Sequence, residues 1–242
     1  MGVMMSSPKG PRGYVATLDD VIASLDKIRG HLHNIKVLQT SEKPQNNEEK
    51  SHKIITLEVG HGPHPDGFEP GAVDPRTGKE EWKLNQICAA SCKKYLQKEG
   101  YEDVEVTDEN NYLGSIGRNN QKSDIFISIH HNAFNLDKAQ GAETIIHEVV
   151  SNQWDHALAE YCSKSFSEDL GITNRGVKRM SLSVLEGAIS DRYTPKQGVC
   201  LIEPYFITGR DVDDHEEWSR KAGTALGKAI ISYLNYIKSL EK

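Results

Sequence analysis

From Lys53 onward, the chain alternates short apolar runs with segments whose apolar residues recur three and four positions apart. The short runs are rich in Val, Ile and Phe and predict buried β-strands at 54–59, 104–106, 124–129, 142–147 and 199–202. The segments with the longer period predict amphipathic helices, and the last of them opens at Asp214, a helix-capping residue type. Strands that alternate with helices indicate an α/β fold: a single three-layer domain with a mostly parallel central sheet flanked by helices.

Upstream of this domain, the chain divides into three segments that differ in composition and in the spacing of their apolar residues. Residues 1–16 are rich in Gly and Pro, which predicts a flexible N-terminus. Within 17–38, apolar residues recur at alternating spacings of three and four, which predicts an amphipathic helix with the seam of a coiled coil: Leu18, Val21, Leu25, Ile28, Leu32 and Ile35. Residues 39–52 contain almost nothing apolar and are typical of a linker. The helix at 17–38 either docks on the main domain, 53–242, or mediates self-association.

The charge balance narrows the classes of partner. The 242 residues include 29 Lys and Arg against 35 Asp and Glu, a formal net charge of −6. A chain with this charge has no global attraction to nucleic acid or anionic lipid, so we expect no nucleic-acid partner. It also contains no apolar stretch of the length that spans a bilayer, so we expect no stable membrane insertion.

Signals for export and for disulfide formation are weak. The N-terminus carries Lys9 and Arg12 without an apolar segment behind them, so we expect a protein that is cytoplasmic as synthesised. The cysteines form no CxxC pair and are too scattered for a disulfide framework; they are Cys88, Cys92, Cys162 and Cys200. We therefore interpret them as core residues of a protein made in a reducing compartment.

Polar side chains follow three of the predicted strands. His61 lies between two glycines after the first strand, His130 follows the strand at 124–129, and Glu203 follows the last strand. Ligands of α/β folds bind at such strand ends. Two histidines and a carboxylate are also the ligand types of a catalytic zinc site, which keeps a fourth position open for water.

Each of these residues has a structural alternative. A single histidine at a strand end is more often a hydrogen-bonded structural group than a metal ligand, and Glu203 alone is equally suited to capping a turn. Three other histidines, His64, His131 and His147, lack this pairing, and we interpret them as loop, supporting or core residues.

Motifs along 53–240 resemble those of the zinc-dependent N-acetylmuramoyl-L-alanine amidases. The two most specific are Ser128-Ile129-His130-His131-Asn132 and Leu201-Ile202-Glu203-Pro204-Tyr205-Phe206-Ile207-Thr208, which occur in the family's order. Others include Gly60-His61-Gly62, Gly71-Ala72, Glu81-Trp82-Lys83-Leu84-Asn85, Arg118, Gly141-Ala142-Glu143-Thr144 and Arg175-Gly176-Val177-Lys178. Either of the two specific motifs alone would be weak evidence, whereas the pair in this order is specific.

The resemblance implies a set of roles. His61, Glu81 and His130 would bind Zn²⁺, and Glu203 would be the catalytic carboxylate. The family places its ligand glutamate three residues before an apolar residue and Asn on the first turn of a helix, so the register favours Glu81 over Glu80. Neighbouring residues of a helix are rotated by about 100°, so Glu80 is expected to point elsewhere.

The chain also departs from the family pattern. Glu58 and Val59 stand where the family often has Asp and Pro, from which we expect altered strand packing and an intact metal site. Gly209 stands where the family usually has Asn, directly after Phe206-Ile207-Thr208. Two polar loops, 63–79 and 190–197, are expected to shape the substrate groove.

By resemblance, 53–242 is a catalytic domain that hydrolyses the amide bond between N-acetylmuramic acid and L-alanine in peptidoglycan, its expected partner. Such a protein, an autolysin or endolysin, would reach the cell wall after release or export. The alternatives are a zinc peptidase that cuts within the stem peptide and an inactive wall-binding module of the same fold. Arg118 has two interpretations, contact with a peptide carboxylate or a structural ion pair.

Overall fold

The computed structural model of the protein describes residues 53–135, 138–189, 197–209 and 212–241. The flexible start, the heptad helix and the linker predicted within 1–52 lie outside the described residues, and they stay predictions.

The strands and helices alternate along the chain as the apolar pattern predicts. The strands are β1 (Ile55–Val59), β2 (Gly62–His64), β3 (Gly67–Glu69), β4 (Val104–Thr107), β5 (Ile125–Ile129), β6 (Ala142–His147), β7 (Asn174–Met180) and β8 (Gly198–Glu203). The helices are α1 (Glu81–Lys98), α2 (Leu113–Asn119), α3 (Gln153–Leu170), α4 (Ser183–Ile189) and α5 (His215–Leu240). Asp214 caps α5 by accepting hydrogen bonds from the backbone N–H groups of Glu216 and Glu217.

The central sheet has six strands in the order β4-β1-β5-β8-β6-β7. Neighbouring strands are parallel except β6 and β8, which run antiparallel. The predicted mostly parallel sheet is therefore confirmed. Because β6 is reversed, the beginning of β6 lies beside the end of β8, and Glu143 is directly opposite Glu203 in the register.

Helices cover both faces of this sheet, so the three-layer prediction is confirmed. Alternate side chains of β5 point to opposite layers: Ile125 and Ile127 pack with α1, α3 and α5, whereas Phe126 packs with α2 and α4. The predicted core cysteines are all buried and unpaired. No helix within the described ranges has the length and apolar character needed to cross a membrane.

Several elements were not predicted from the sequence. The β2–β3 hairpin consists of two three-residue strands containing Gly, Pro and charged residues, so it has no apolar alternation. Strand β7 lies at the sheet edge and is largely exposed, which explains its polar sequence. The hairpin replaces part of the predicted loop 63–79, and most of the predicted loop 190–197 lies outside the described residues.

Helix α1, which begins with Glu81, packs closely against α5. A Cβ atom at Gly223 would collide with the carbonyl oxygen of Cys88 and lie 3.0 Å from the backbone nitrogen of Cys92. Backbone atoms of a packed helix cannot turn aside as a side chain can. Glycine at this position therefore sets the distance between the two helices.

We expect Gly223→Ala to lower the free energy of unfolding by about 1–3 kcal/mol, since the added methyl overpacks a backbone contact. This loss should appear even though Ala has the better helix propensity. Gly227→Ala is the matched control, because its Cβ would meet the ring of Tyr95 at 2.6 Å, and that half-buried side chain can shift. Urea denaturation followed by circular dichroism measures both variants. Equal stability losses would contradict this account of the helix contact.

Candidate active site

His61, Glu81 and His130 converge at one edge of the sheet. One potential ligand atom from each residue lies within 4.8 Å of the other two. His61 follows β1 and His130 follows β5, and these strands are parallel neighbours, so their ends meet. A Cβ atom at Gly60 would overlap the His130 ring, so glycine there lets the two histidines approach each other.

Glu81 lies between the two imidazoles. Its Oε2 is 3.1 Å from Nε2 of His61, and its Oε1 is 3.0 Å from Nδ1 of His130. The backbone N–H groups of Ala72 and His131 donate to the same carboxylate at 2.9 and 3.1 Å. Burial by itself raises the pKa of Glu81, but the hydrogen bonds and charges of the two histidines outweigh it and hold the pKa well below its usual range. The carboxylate is therefore ionised.

Glu80 points away from this cluster. It is the N-cap of α1, and its carboxylate is 2.9 Å from the ammonium of Lys83 on the same helix. The register argument from the sequence placed Glu81, and not Glu80, toward the histidines, and the structure has this arrangement.

Buried hydrogen bonds of Asn85 and His131 connect the histidine cluster to α1. Asn85 on α1 donates to the carbonyl of Gly60 at 3.0 Å, and its Oδ1 is 2.6 Å from Nδ1 of His131. Burial lowers the pKa of His131 to about 3, so this imidazole is neutral. His131 thus links α1 to the chain that follows His130, in agreement with its interpretation as a supporting residue.

The other two histidines that the sequence analysis set apart, His64 and His147, lie outside the cluster. His64 belongs to the hairpin and accepts from the backbone N–H of Asp66 at 3.3 Å. His147 at the end of β6 accepts from the N–H groups of Val149 and Val150. Both fit the loop and core interpretation.

Glu203 ends β8 beside the histidine cluster. Burial raises its pKa to about 7, and the nearby charge of His130 opposes this rise. Glu143 raises the pKa further, both by its charge and by a hydrogen bond between the two carboxyl groups. The pKa values of Glu203 and Glu81 are therefore shifted in opposite directions within one site.

Glu143 is a functional candidate that the sequence analysis did not single out. It appeared there only within a family motif. Its Oε2 accepts from Nε of Arg175 at 2.7 Å, and its Oε1 accepts from Nδ2 of Asn132 at 2.8 Å. The Arg175 guanidinium also lies over the Phe206 ring, 5.0 Å from its centroid. These contacts fix the carboxylate that faces Glu203.

Asp74 is a second residue missed by the sequence analysis. It is fully buried and accepts hydrogen bonds from Arg76, Thr77 and His215. Burial acts against ionisation, but these hydrogen bonds lower the pKa of Asp74 well below its usual range. Because His215 begins α5, Asp74 ties that helix to the loop whose Ala72 donates to Glu81.

Two further expectations from the sequence concern Arg118 and Glu58. The structural ion pair suggested for Arg118 is not found among the described residues, where its guanidinium donates to Ser115 Oγ at 3.0 Å. At Glu58 the β1–β5 pairing is regular, and Ser128 on β5 donates to the buried Glu58 carboxylate at 2.5 Å. Burial raises the pKa of Glu58.

The donor set at the sheet edge fits a transition metal. Two imidazole nitrogens and one ionised carboxylate oxygen are the protein ligands found in many catalytic zinc sites. A nearby carboxyl group with a raised pKa supplies a proton acceptor and donor. Together these groups suit hydrolysis of a carbonyl compound.

Comparison with known proteins agrees with this chemistry. The family model for N-acetylmuramoyl-L-alanine amidase matches residues 55–232. The probable cell wall amidase LytH of Staphylococcus saprophyticus is 30% identical over 198 residues, which cover 80% of this chain and 62% of LytH. The chain thus spans less than two thirds of that relative's length.

Two solved structures from Clostridium difficile are similar in fold. An N-acetylmuramoyl-L-alanine amidase of strain 630 is 22% identical with a TM-score of 0.63, and the match covers 76% of this chain and 98% of that one. Cwp6 is 26% identical with a TM-score of 0.62, over 75% of this chain and 29% of Cwp6. Because the family model spans most of the chain, the protein belongs to the N-acetylmuramoyl-L-alanine amidase family.

Proposed function

We propose that this protein is a zinc-dependent enzyme that hydrolyses the amide bond between N-acetylmuramic acid and L-alanine of peptidoglycan. The observation that carries the proposal is the convergence of His61, Glu81 and His130 within 4.8 Å beside a separate carboxyl group, that of Glu203. Membership of the amidase family supports peptidoglycan as the substrate.

In this proposal His61, Glu81 and His130 hold the zinc ion. The chain supplies three ligands, and catalytic zinc sites commonly use three and leave one position open. When bound, zinc supplies a Lewis acid that polarises the amide carbonyl and makes water a better proton donor. The hydrogen bonds from Ala72 and His131 orient the Glu81 carboxylate before any metal binds.

Glu203 moves the protons. Its carboxylate accepts a proton from the attacking water, and the resulting carboxylic acid donates a proton to the amine nitrogen of L-alanine as the amide bond breaks. A single group performs both steps well when its pKa lies near the working pH. The pKa of about 7 at Glu203 meets this condition.

Product analysis tests the proposed function. Purified peptidoglycan is digested with and without a chelator, and the released fragments are analysed by mass spectrometry. The proposal expects free L-alanine amino termini and intact stem peptides, and loss of both products with the chelator. New ends within the peptide would identify a peptidase, and no release by zinc-loaded protein would identify an inactive module.

Substitution of the proposed ligands tests the metal assignment. His61→Ala and His130→Ala each leave two protein ligands instead of three, so the purified variants should contain far less than one zinc ion per chain. Plasma emission spectroscopy measures the metal content. Stoichiometric zinc in either variant would refute the assignment.

The adjacent residues Glu80 and Glu81 provide a matched pair of variants that tests the third proposed ligand. Glu81→Gln should lower zinc affinity strongly, since it removes the anionic oxygen between the histidines. Glu80→Gln should retain zinc, because Glu80 contacts Lys83. Competition with a fluorescent chelator gives both affinities, and the same loss in both variants would contradict the register.

Glu203→Gln separates proton transfer from metal binding. The amide keeps the side-chain volume and can donate to Glu143, but it cannot take a proton from water at neutral pH. Zinc content and melting temperature should stay near those of the parent, while turnover on peptidoglycan falls about a hundredfold or more. Loss of zinc would make Glu203 a ligand, and normal turnover would remove it from the mechanism.

The pH profile tests the influence of Glu143 on Glu203. A negative charge beside Glu203 favours its protonated form, so Glu143→Gln should let Glu203 ionise at lower pH. Because the base must be ionised to accept a proton, the acid limb of kcat/KM should move to lower pH. Arg175→Gln removes a positive charge and should move the same limb to higher pH. Shifts in the same direction would show that charge is not the cause.

A further inference from the structure

Exposed aromatic side chains concentrate at the edge of the sheet that carries the proposed active site. Among the described residues, the exposed aromatic side chains are Phe68, Tyr112 and Phe134, at 55%, 53% and 56% exposure. Phe68 follows β1, Tyr112 follows β4 and Phe134 follows β5, and these strands are parallel. Rings that a fold leaves in water at a candidate site are suited to contact a ligand.

Two of these rings are fixed by the β2–β3 hairpin. Phe68 on β3 packs edge-on against Trp82, with ring centroids 5.1 Å apart. On the other strand, His64 packs edge-on against Tyr112, also at 5.1 Å. The hairpin thereby connects the first turn of α1 to the start of α2. We call Phe68, Trp82 and Tyr112 the aromatic ledge.

The aromatic ledge is continuous with the proposed metal ligands. Trp82 follows Glu81 directly, and Gly62 follows His61. A Cβ atom at Gly62 would overlap the indole of Trp82, so the hairpin lies directly on that ring. A substrate bound at His61 and Glu81 therefore lies next to the hairpin and Trp82.

Acidic groups border the ledge. Trp82 Nε1 donates to the Asp108 carboxylate at 3.2 Å, and the Tyr112 hydroxyl donates to Asp66 at 3.5 Å. Glu69 at the end of β3 is 3.4 Å from Nδ1 of His61 and its side chain is 63% exposed. Carboxylates accept hydrogen bonds from hydroxyl groups and repel anions.

We propose that the aromatic ledge binds the glycan strand of peptidoglycan next to the bond that is cut. This inference rests on the proposed function and adds the orientation of the substrate. Pyranose rings present apolar C–H faces that pack on aromatic rings, and their hydroxyls donate to the bordering carboxylates. A stem peptide with free carboxylates is repelled by the same border. The peptide therefore leaves the site away from the hairpin.

A binding measurement tests the ledge without any hydrolysis. The probe is a soluble β-1,4-linked oligomer of N-acetylglucosamine, a neutral glycan without stem peptides or lactyl carboxylates, titrated into the full chain by calorimetry. The double variant Phe68→Ala, Tyr112→Ala loses two ring faces and should bind at least about tenfold more weakly. Unchanged affinity in the double variant would overturn the proposal.

Three controls separate the ledge from general effects. Phe134→Ala removes an equally exposed ring at the same sheet edge but outside the ledge, and it should keep the parent affinity. Phe68→Tyr and Tyr112→Phe preserve the rings and should also bind normally. Zinc content shows that each variant retains the folded site. A loss with Phe134→Ala equal to that of the double variant would mean nonspecific adhesion and would contradict the proposal.

A titration with free stem peptide tests whether the peptide, and not the glycan, occupies the aromatic ledge. Peptide affinity should be the same in the parent and the double variant, and the peptide should not displace the neutral glycan probe. If the double variant loses peptide affinity and keeps glycan affinity, the ledge serves the peptide and the proposal is wrong. Failure of the proposed function would give a different result. The parent protein would not cleave peptidoglycan, but it would still bind glycan through the ledge.

Discussion

The site depends on one buried ionised carboxylate, that of Glu81. A charge removed from water is costly unless hydrogen bonds and opposite charges surround it. Here two imidazoles and two backbone N–H groups do so, and the position of Glu81 on the first turn of α1 adds the favourable end of the helix dipole. Because the partners come from β1, β5 and the loop at Ala72, these elements must meet at fixed distances. The close packing of α1 on α5 at Gly223 helps to hold α1 in that position.

The two glutamates at the centre acquire different chemistry from their surroundings. Both are largely buried, which raises the pKa of any carboxyl group. Glu81 has two histidine partners that reverse this effect, whereas Glu203 faces the carboxylate of Glu143, which reinforces it. A ligand needs the ionised form and a proton carrier needs both forms, so the two environments match the proposed roles.

The positions of His61, His130 and Glu203 were predictable from the sequence because they rest on local patterns, whereas Glu81 was singled out only through the family resemblance. The runs around β1, β5 and β8 are buried on both faces, and the residues that follow them are read directly from the chain. Glu143 and Asp74 were missed for a different reason. The first acts through the antiparallel pairing of β6 with β8, and the second through His215, 141 residues away. Contacts of this kind depend on strand order and helix packing, which a periodicity does not encode.

The hairpin shows how a short polar insertion acquires a role that its composition does not reveal. His61 adopts a positive φ of 67°, which is uncommon for a residue other than glycine. That turn directs the chain from β1 into the hairpin, and Gly62 then seats it on Trp82. The same few residues thus orient a proposed metal ligand and place the aromatic ledge. A change that loosens the hairpin therefore acts on the position of His61 as well as on the ledge, so the proposed substrate contact and the proposed metal binding share one support.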